Sequence, residues 1–233
     1  MSTLEALKDV ASKILAILRG FRVLMFFYVA FLGVGLCVFT LGSVFPWLDG
    51  VLLASRSTPW GVVTSLFAHS DLGHLAMNLV GLLSFFLIFP FTNYFLPGEE
   101  KAGRVVFFLA AVLASTVLSN VVWIVIVNIG SMGASGLVYA SEGAVTGFCL
   151  VNFWDIYSGE GPGAGGGRGA LLVNLLVFVP VCVWMVFYTS SFLSYGRDVN
   201  VLIHGSSFVL AFILAIEWGN VKKVLGIGGG AGA

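Results

Sequence analysis

The run VVFFLAAVLASTVLSNVVWIVIVNIGSMGASGLVYAS, Val105 to Ser141, contains no charged residue. A helix crosses the hydrocarbon core with about 20 apolar residues, so this run is too long for one span and has to be divided. Asn128, Gly130 and Ser131 supply the turn. Two spans are therefore expected here, Val105 to Val127 and Gly133 to Phe153. Working outward and dividing the chain at its charges and turn formers adds Val23 to Phe45, Leu72 to Phe91, Ala170 to Ser190 and Val199 to Trp218. The expected fold is all-α: a polytopic bundle of six transmembrane helices with a long external loop between the first and second.

Composition agrees with a membrane-embedded chain. Of the 233 residues, 59% are hydrophobic and 9% charged, with mean hydropathy +1.04, against about 25% charged in a soluble domain. The formal net charge is +0 and no basic stripe is present, so the bilayer is an expected partner and nucleic acid is not. The charges fall between the apolar runs and mark loops. Cys37, Cys149 and Cys182 sit inside apolar runs with no paired spacing, so they specify neither a disulfide framework nor a metal site.

Ahead of the first span, LEALKDVASKILAILRG repeats apolar residues at helical spacing, and residues 1–22 are expected as an amphipathic helix on the cytoplasmic membrane surface. Acids among its bases and the lack of a small-residue cleavage site argue against a cleavable signal peptide. Residues 23–218 make the membrane domain, and 219–233 a cytoplasmic glycine-rich tail. Lys8, Lys13, Arg19, Arg22, Lys101, Arg104, Arg168, Lys222 and Lys223 fall on one side of the spans, while Arg56 and Arg197 fall on the other. The excess of basic residues marks the cytoplasmic side, so both termini are expected inside a cell membrane. The loop from Pro46 to Asp71 is then external, with Trp47 and Trp60 suited to the interface.

Polar side chains within spans need a packing reason or a chemical one. Small residues between transmembrane helices most often serve close packing, so Ser135 in Gly-x-Ser-Gly means little alone. The three histidines add to it. His74 and Asn78 are four apart and share one helix face. His204 and Ser135 fall at the same, external level of two other spans, so four polar side chains converge as one site. A serine hydroxyl becomes a nucleophile when a neutral histidine takes its proton, and N–H groups on His74 and Asn78 can stabilise the oxyanion that results. Gly133 and Gly136 leave the backbone unobstructed, and a helix N-terminus adds its positive dipole end. This is acyl-transfer chemistry. No acidic or thiol ligand shares the histidines' depth, so zinc fits poorly, and no metal or cofactor is implied.

These residues resemble the rhomboid family of intramembrane serine proteases. HSDLGHLAMN is similar to the family's His-x-x-x-x-His-x-x-x-Asn, GASGLVYA to its Gly-x-Ser-Gly, and His204 to its base on the last span. The resemblance implies Ser135 as nucleophile, His204 as general base, His74 and Asn78 as oxyanion donors, Tyr139 as the ring stacked on the catalytic histidine, and His69 as a brace for the loop above. It also implies substrates that are transmembrane segments of other membrane proteins. Oligomeric state is not implied. The chain departs from the family's pattern at Trp60-Gly61, where a Trp-Arg pair is frequent, and at Ser207 and Ala211, where glycines are.

Glu142 lies seven residues after Ser135 on roughly the same face, where a carboxylate must be protonated, paired or wet. Pairing with Asn152 or Asn174 is the expectation. Trp184, Phe187 and Phe192 on the fifth span are bulky enough to form a gate. Two readings compete with the protease: a catalytically inactive relative that binds transmembrane helices, and a transporter or channel.

Overall fold

The computed structural model describes residues 3–127, 129–194 and 201–224. Asn128, Arg197, the expected start of the last span at Val199, and residues 225–233 of the tail lie outside the described residues. The helices are α1 (Thr3–Gly20), α2 (Arg22–Val44), α3 (Trp47–Leu52), α4 (Gly61–Thr64), α5 (Leu72–Thr92), α6 (Gly98–Ile126), α7 (Ser135–Ser158), α8 (Gly167–Ser194), α9 (Val201–Ile216) and α10 (Trp218–Val224), with a 3-10 turn at Ala164–Gly166. Among the described residues the only extended pairing is an isolated bridge between Ala54 and Ser131. The fold is all-α, as expected.

Among the described residues four helical stretches are long and apolar enough to cross a membrane: α2, α5, α6 and Ala164–Met185, which runs from the 3-10 turn into α8. A fifth is added if α9 and α10, bent by 57°, are taken as one span. Helix α7, expected from the sequence as a span, is not among them. Ser141, Glu142, Thr146, Asn152 and Asp155 dilute its apolar character, yet all five are buried. It is the central helix, packed against α5, α6, α8 and α9. Its neighbours shield it from lipid, so it can be built from small and polar residues.

The tightest seam lies between α7 and α9. A Cβ at Gly143 would collide with the Phe208 carbonyl, and one at Gly147 would stand 2.7 Å from both Ala215 Cβ and Phe212 O. On α9, Ser207 and Ala211 stay small and have no exposed surface. The other side of α7 joins an aromatic core, where Phe89 packs 4.3 Å from Phe108 and edge-on to Phe148 at 5.5 Å.

At one end of the bundle the helices are tied by a buried polar network. Arg104, only 1% exposed, donates from Nε to Glu100 Oε1 (3.1 Å) and from Nη1 to Asn93 Oδ1 (2.9 Å) and Asn152 Oδ1 (2.6 Å). Asp155 lies 3.7 Å from its Nη2, and Phe148 lies beneath the guanidinium. Glu100 also accepts from Trp218 Nε1 (2.7 Å) and Lys222 Nζ (3.0 Å), which docks α10. Two sequence expectations are corrected here. Arg104 is not a loop charge, because α6 begins at Gly98 and carries it into the interior. Asn152 and Asn174 do not serve Glu142: Asn152 Nδ2 donates to Asn174 Oδ1 and to Thr92 O, and Asn174 Nδ2 donates to Thr92 O and Ala170 O. Both lie near the Arg104 end, beyond reach of the carboxyl.

Candidate active site

The opposite end of α7 is shaped by the segment between α2 and α5. Ala54 and Ser131 exchange backbone hydrogen bonds of 2.9 and 3.1 Å, Gly133 N–H donates to Ser65 O (2.9 Å), and Ala134 N–H donates to His69 Nε2 (3.2 Å). These straps hold the turn from which α7 starts. Because His69 Nε2 accepts, the ring proton is on Nδ1, which faces Phe67 O at 3.3 Å. Burial lowers the pKa of His69 to about 4, so the ring is neutral.

Arg56 anchors the same segment from a second direction, donating to the α6 carbonyls of Ile124 (3.2 Å) and Val125 (2.7 Å), while Asn120 Nδ2 donates to Val62 O (3.0 Å). Arg56 therefore ties down the loop in a chain that lacks the frequent Trp-Arg pair. An arginine at Gly61 has no room: a Cβ there would collide with the backbone of Leu53 and Ala54. The sequence does not reveal this anchor, since its partners are carbonyls 68 and 69 residues away.

Ser135 is the first residue of α7, after Ala134. The first amides of a helix lack intrahelical acceptors, so donors and the positive dipole end gather around its hydroxyl. Its Oγ lies 2.8 Å from His204 Nε2 on α9. The Tyr139 ring, one turn along α7, stacks on the His204 imidazole at 4.4 Å with 28° between planes. Ser135 and His204 thus sit on the two helices of the closest seam, and the stacked ring limits rotation of the imidazole.

Helix α5 supplies the facing wall. Asp71 caps it, its Oδ1 accepting from His74 N–H at 2.8 Å, and this bond lowers the Asp71 pKa. The cap fixes where the helix begins and so places His74 and Asn78 one turn apart. Ser70 Oγ donates to Asp71 Oδ2 (2.9 Å) and stands 3.3 Å from His74 Nδ1, which tethers that edge of the ring. The Nε2 edge faces Gly133: a Cβ at 133 would lie 2.9 Å from His74 Nε2, 2.7 Å from Cε1 and 3.6 Å from Asn78 Nδ2. Gly133 has φ +114°, so glycine is required there for conformation as well as space. Gly136 faces Thr116, Ile203 and Ser207, a packing position between α6, α7 and α9. Asn78 Nδ2 is buried with no hydrogen-bond partner among the described residues.

Ser135, His204, His74 and Asn78 all line one cavity of about 570 Å³ between α5, α7 and α8. Glu142 and Trp184 line it too, whereas the side chains of Phe187 and Phe192 lie outside the described residues. Among the described residues no group of three His, Cys, Asp or Glu side chains is placed to hold a metal ion. The arrangement offers a base-linked hydroxyl, an unused amide donor and a helix N-terminus around a space large enough for a peptide segment. A family model described as Rhomboid domain matches residues 56–219, from the loop before α4 into α10. No curated protein and no solved structure matches the chain.

Proposed function

The chain belongs to the rhomboid family, and from that premise we propose that it is an intramembrane serine endopeptidase acting through a Ser135–His204 dyad. The observation that carries this reading is the 2.8 Å contact of His204 Nε2 with Ser135 Oγ, opening on the cavity that Asn78 also lines. Ser135 Oγ attacks the scissile carbonyl carbon as His204 Nε2 takes the hydroxyl proton. The carbonyl electrons move to oxygen, where Asn78 Nδ2, His74 Nε2 and the first amides of α7 can donate to the oxyanion. Collapse expels the amine, which takes its proton from His204, and leaves an acyl ester on Ser135. Water, deprotonated by His204, then attacks the ester, and the second collapse returns the proton to Ser135 and frees the acid.

The substrate is read as a transmembrane segment of another membrane protein. A helix hides its carbonyls in i to i−4 bonds, so a few residues must unwind before Ser135 can reach one. Unwinding is costly in hydrocarbon and is supported only where the peptide leaves lipid for a polar cavity. Cleavage is therefore placed near one end of the substrate's span, with helix breakers close by. The basic residues collected at the Arg104 side support an inward position for both termini and an outward position for the site, in a cell membrane.

Labelling by a fluorophosphonate that requires both Ser135 and His204 is the expected result. A wild-type chain that is inert to the probe while still binding transmembrane peptides would instead make it an inactive helix-binding relative.

A further inference from the structure

Glu142 is not part of the proposed dyad. It is 2% exposed, its Oε1 has no hydrogen-bond partner among the described residues, and it lines the cavity that holds Ser135. An unpaired carboxyl at such depth is costly, and the asparagines expected to offset it belong to the Arg104 network. Seven residues of helix separate Glu142 from Ser135, a rise of about 10 Å. Helical side chains lean toward the N-terminus, so the carboxyl sits nearer the level of Ser135 than its own Cα does. The cavity's lining is mostly apolar and includes Phe85, Ile88, Val138 and Val181.

A mostly apolar cavity with an unused acceptor in its wall fits an occupant with an apolar stem and a donating tip. Lysine and arginine have that form, a flexible methylene chain ending in a cation. A neutral aliphatic side chain would fill the cavity but leave Oε1 unpaired. We propose that Glu142 is a specificity-determining residue that selects substrates carrying a lysine or arginine beside the scissile bond. The inference rests on the protease reading, because it takes Ser135 as the point from which the substrate's side chain enters the cavity.

The test uses two alkyl fluorophosphonates of equal chain length, one ending in a primary amine and the other in a methyl group. Each is reacted with the purified full-length chain in micelles, and the amine-to-methyl ratio of labelling rates is read within each protein, so that differences in overall activity cancel. The wild type is expected to favour the amine by about tenfold, as for a charge pair worth roughly 1.4 kcal/mol. Glu142→Leu is expected to bring the ratio below one. Glu142→Gln, nearly isosteric, is expected to fall between them, and it carries the same reading if the leucine variant does not fold. A wild-type ratio of one or less, or a ratio unchanged by both substitutions, overturns the inference and leaves the protease reading standing. Labelling of the wild type by neither probe overturns both.

Discussion

The two ends of α7 handle buried polarity in opposite ways. At the Arg104 end, the buried groups Asn93, Glu100, Arg104, Asn152 and Asn174 are joined to one another and to backbone carbonyls. At the Ser135 end, Asn78 Nδ2 and Glu142 Oε1 have no partner among the described residues, and both residues face a cavity. A satisfied network stabilises a fold, whereas an unsatisfied buried donor costs stability until something binds it. The difference separates the clamp of the bundle from the part whose polar groups are left open at the cavity.

The strongest break in that comparison is made at the dyad. On the proposed mechanism Ser135→Ala and His204→Ala are each expected to lower proteolysis on the order of 10⁶-fold, with the double variant little worse than either, because a nucleophile and its base act as a unit. The half-buried Ser206, whose hydroxyl donates to the Leu202 carbonyl, serves as the control, and Ser206→Ala should cut a transmembrane substrate in liposomes at nearly the wild-type rate. Substantial turnover by Ser135→Ala would remove the dyad from the mechanism.

Next in size is the clamp. Arg104→Met leaves Glu100 and Asp155 without their buried cation, so a loss of about 3–5 kcal/mol is expected, read as a lowered unfolding midpoint in micelles. Protein that remains folded should keep its rate per molecule labelled. A variant with unchanged stability but a dead site would make the network part of the chemistry.

Asn78→Ala should do the reverse. Removing one oxyanion donor costs about 10²–10³ in kcat, while deleting a buried donor that has no partner leaves the unfolding midpoint equal or higher. His74→Ala shares the kinetic loss. Wild-type kinetics in both would place the oxyanion elsewhere.

The smallest effect is the pH response of the strap over the site. His69 titrates at about 4 in the folded chain against 6.5 ordinarily, so between these values the unfolded chain binds more protons. Stability is then full above pH 6.5 and falls as pH drops toward 4. A protonated ring also has no lone pair for Ala134 N–H. The midpoint of the wild type should decline over this window, and His69→Gln should flatten the decline. Asp71, whose carboxyl the His74 amide holds below its ordinary value, titrates beneath this window.

The helices and the shared face of His74 and Asn78 were legible in the chain because both are local signals. Apolar length marks α2, α5, α6 and α8, and the spacing of His74 and Asn78 puts them on one face in any helix. Composition misread α7's neighbourhood in two places. Arg104 looked like a loop charge because it precedes an apolar run, and Glu142 looked like half of a pair because an unpaired charge within a span is costly.

By itself the sequence determined an all-helical membrane chain of rhomboid type, since hydrocarbon forces every spanning backbone to bond within its own helix and leaves length and polarity as readable marks. Only the tertiary structure decided which polar groups meet. The 2.8 Å contact of Ser135 with His204, the anchoring of the loop by Arg56 and the capture of Asn152 by Arg104 all join residues at least 48 positions apart. Such partners are chosen by how closely small residues let helices approach and by which side chains then reach across. Helical periodicity assigns a residue its face, but the packing of neighbouring helices decides what that face touches.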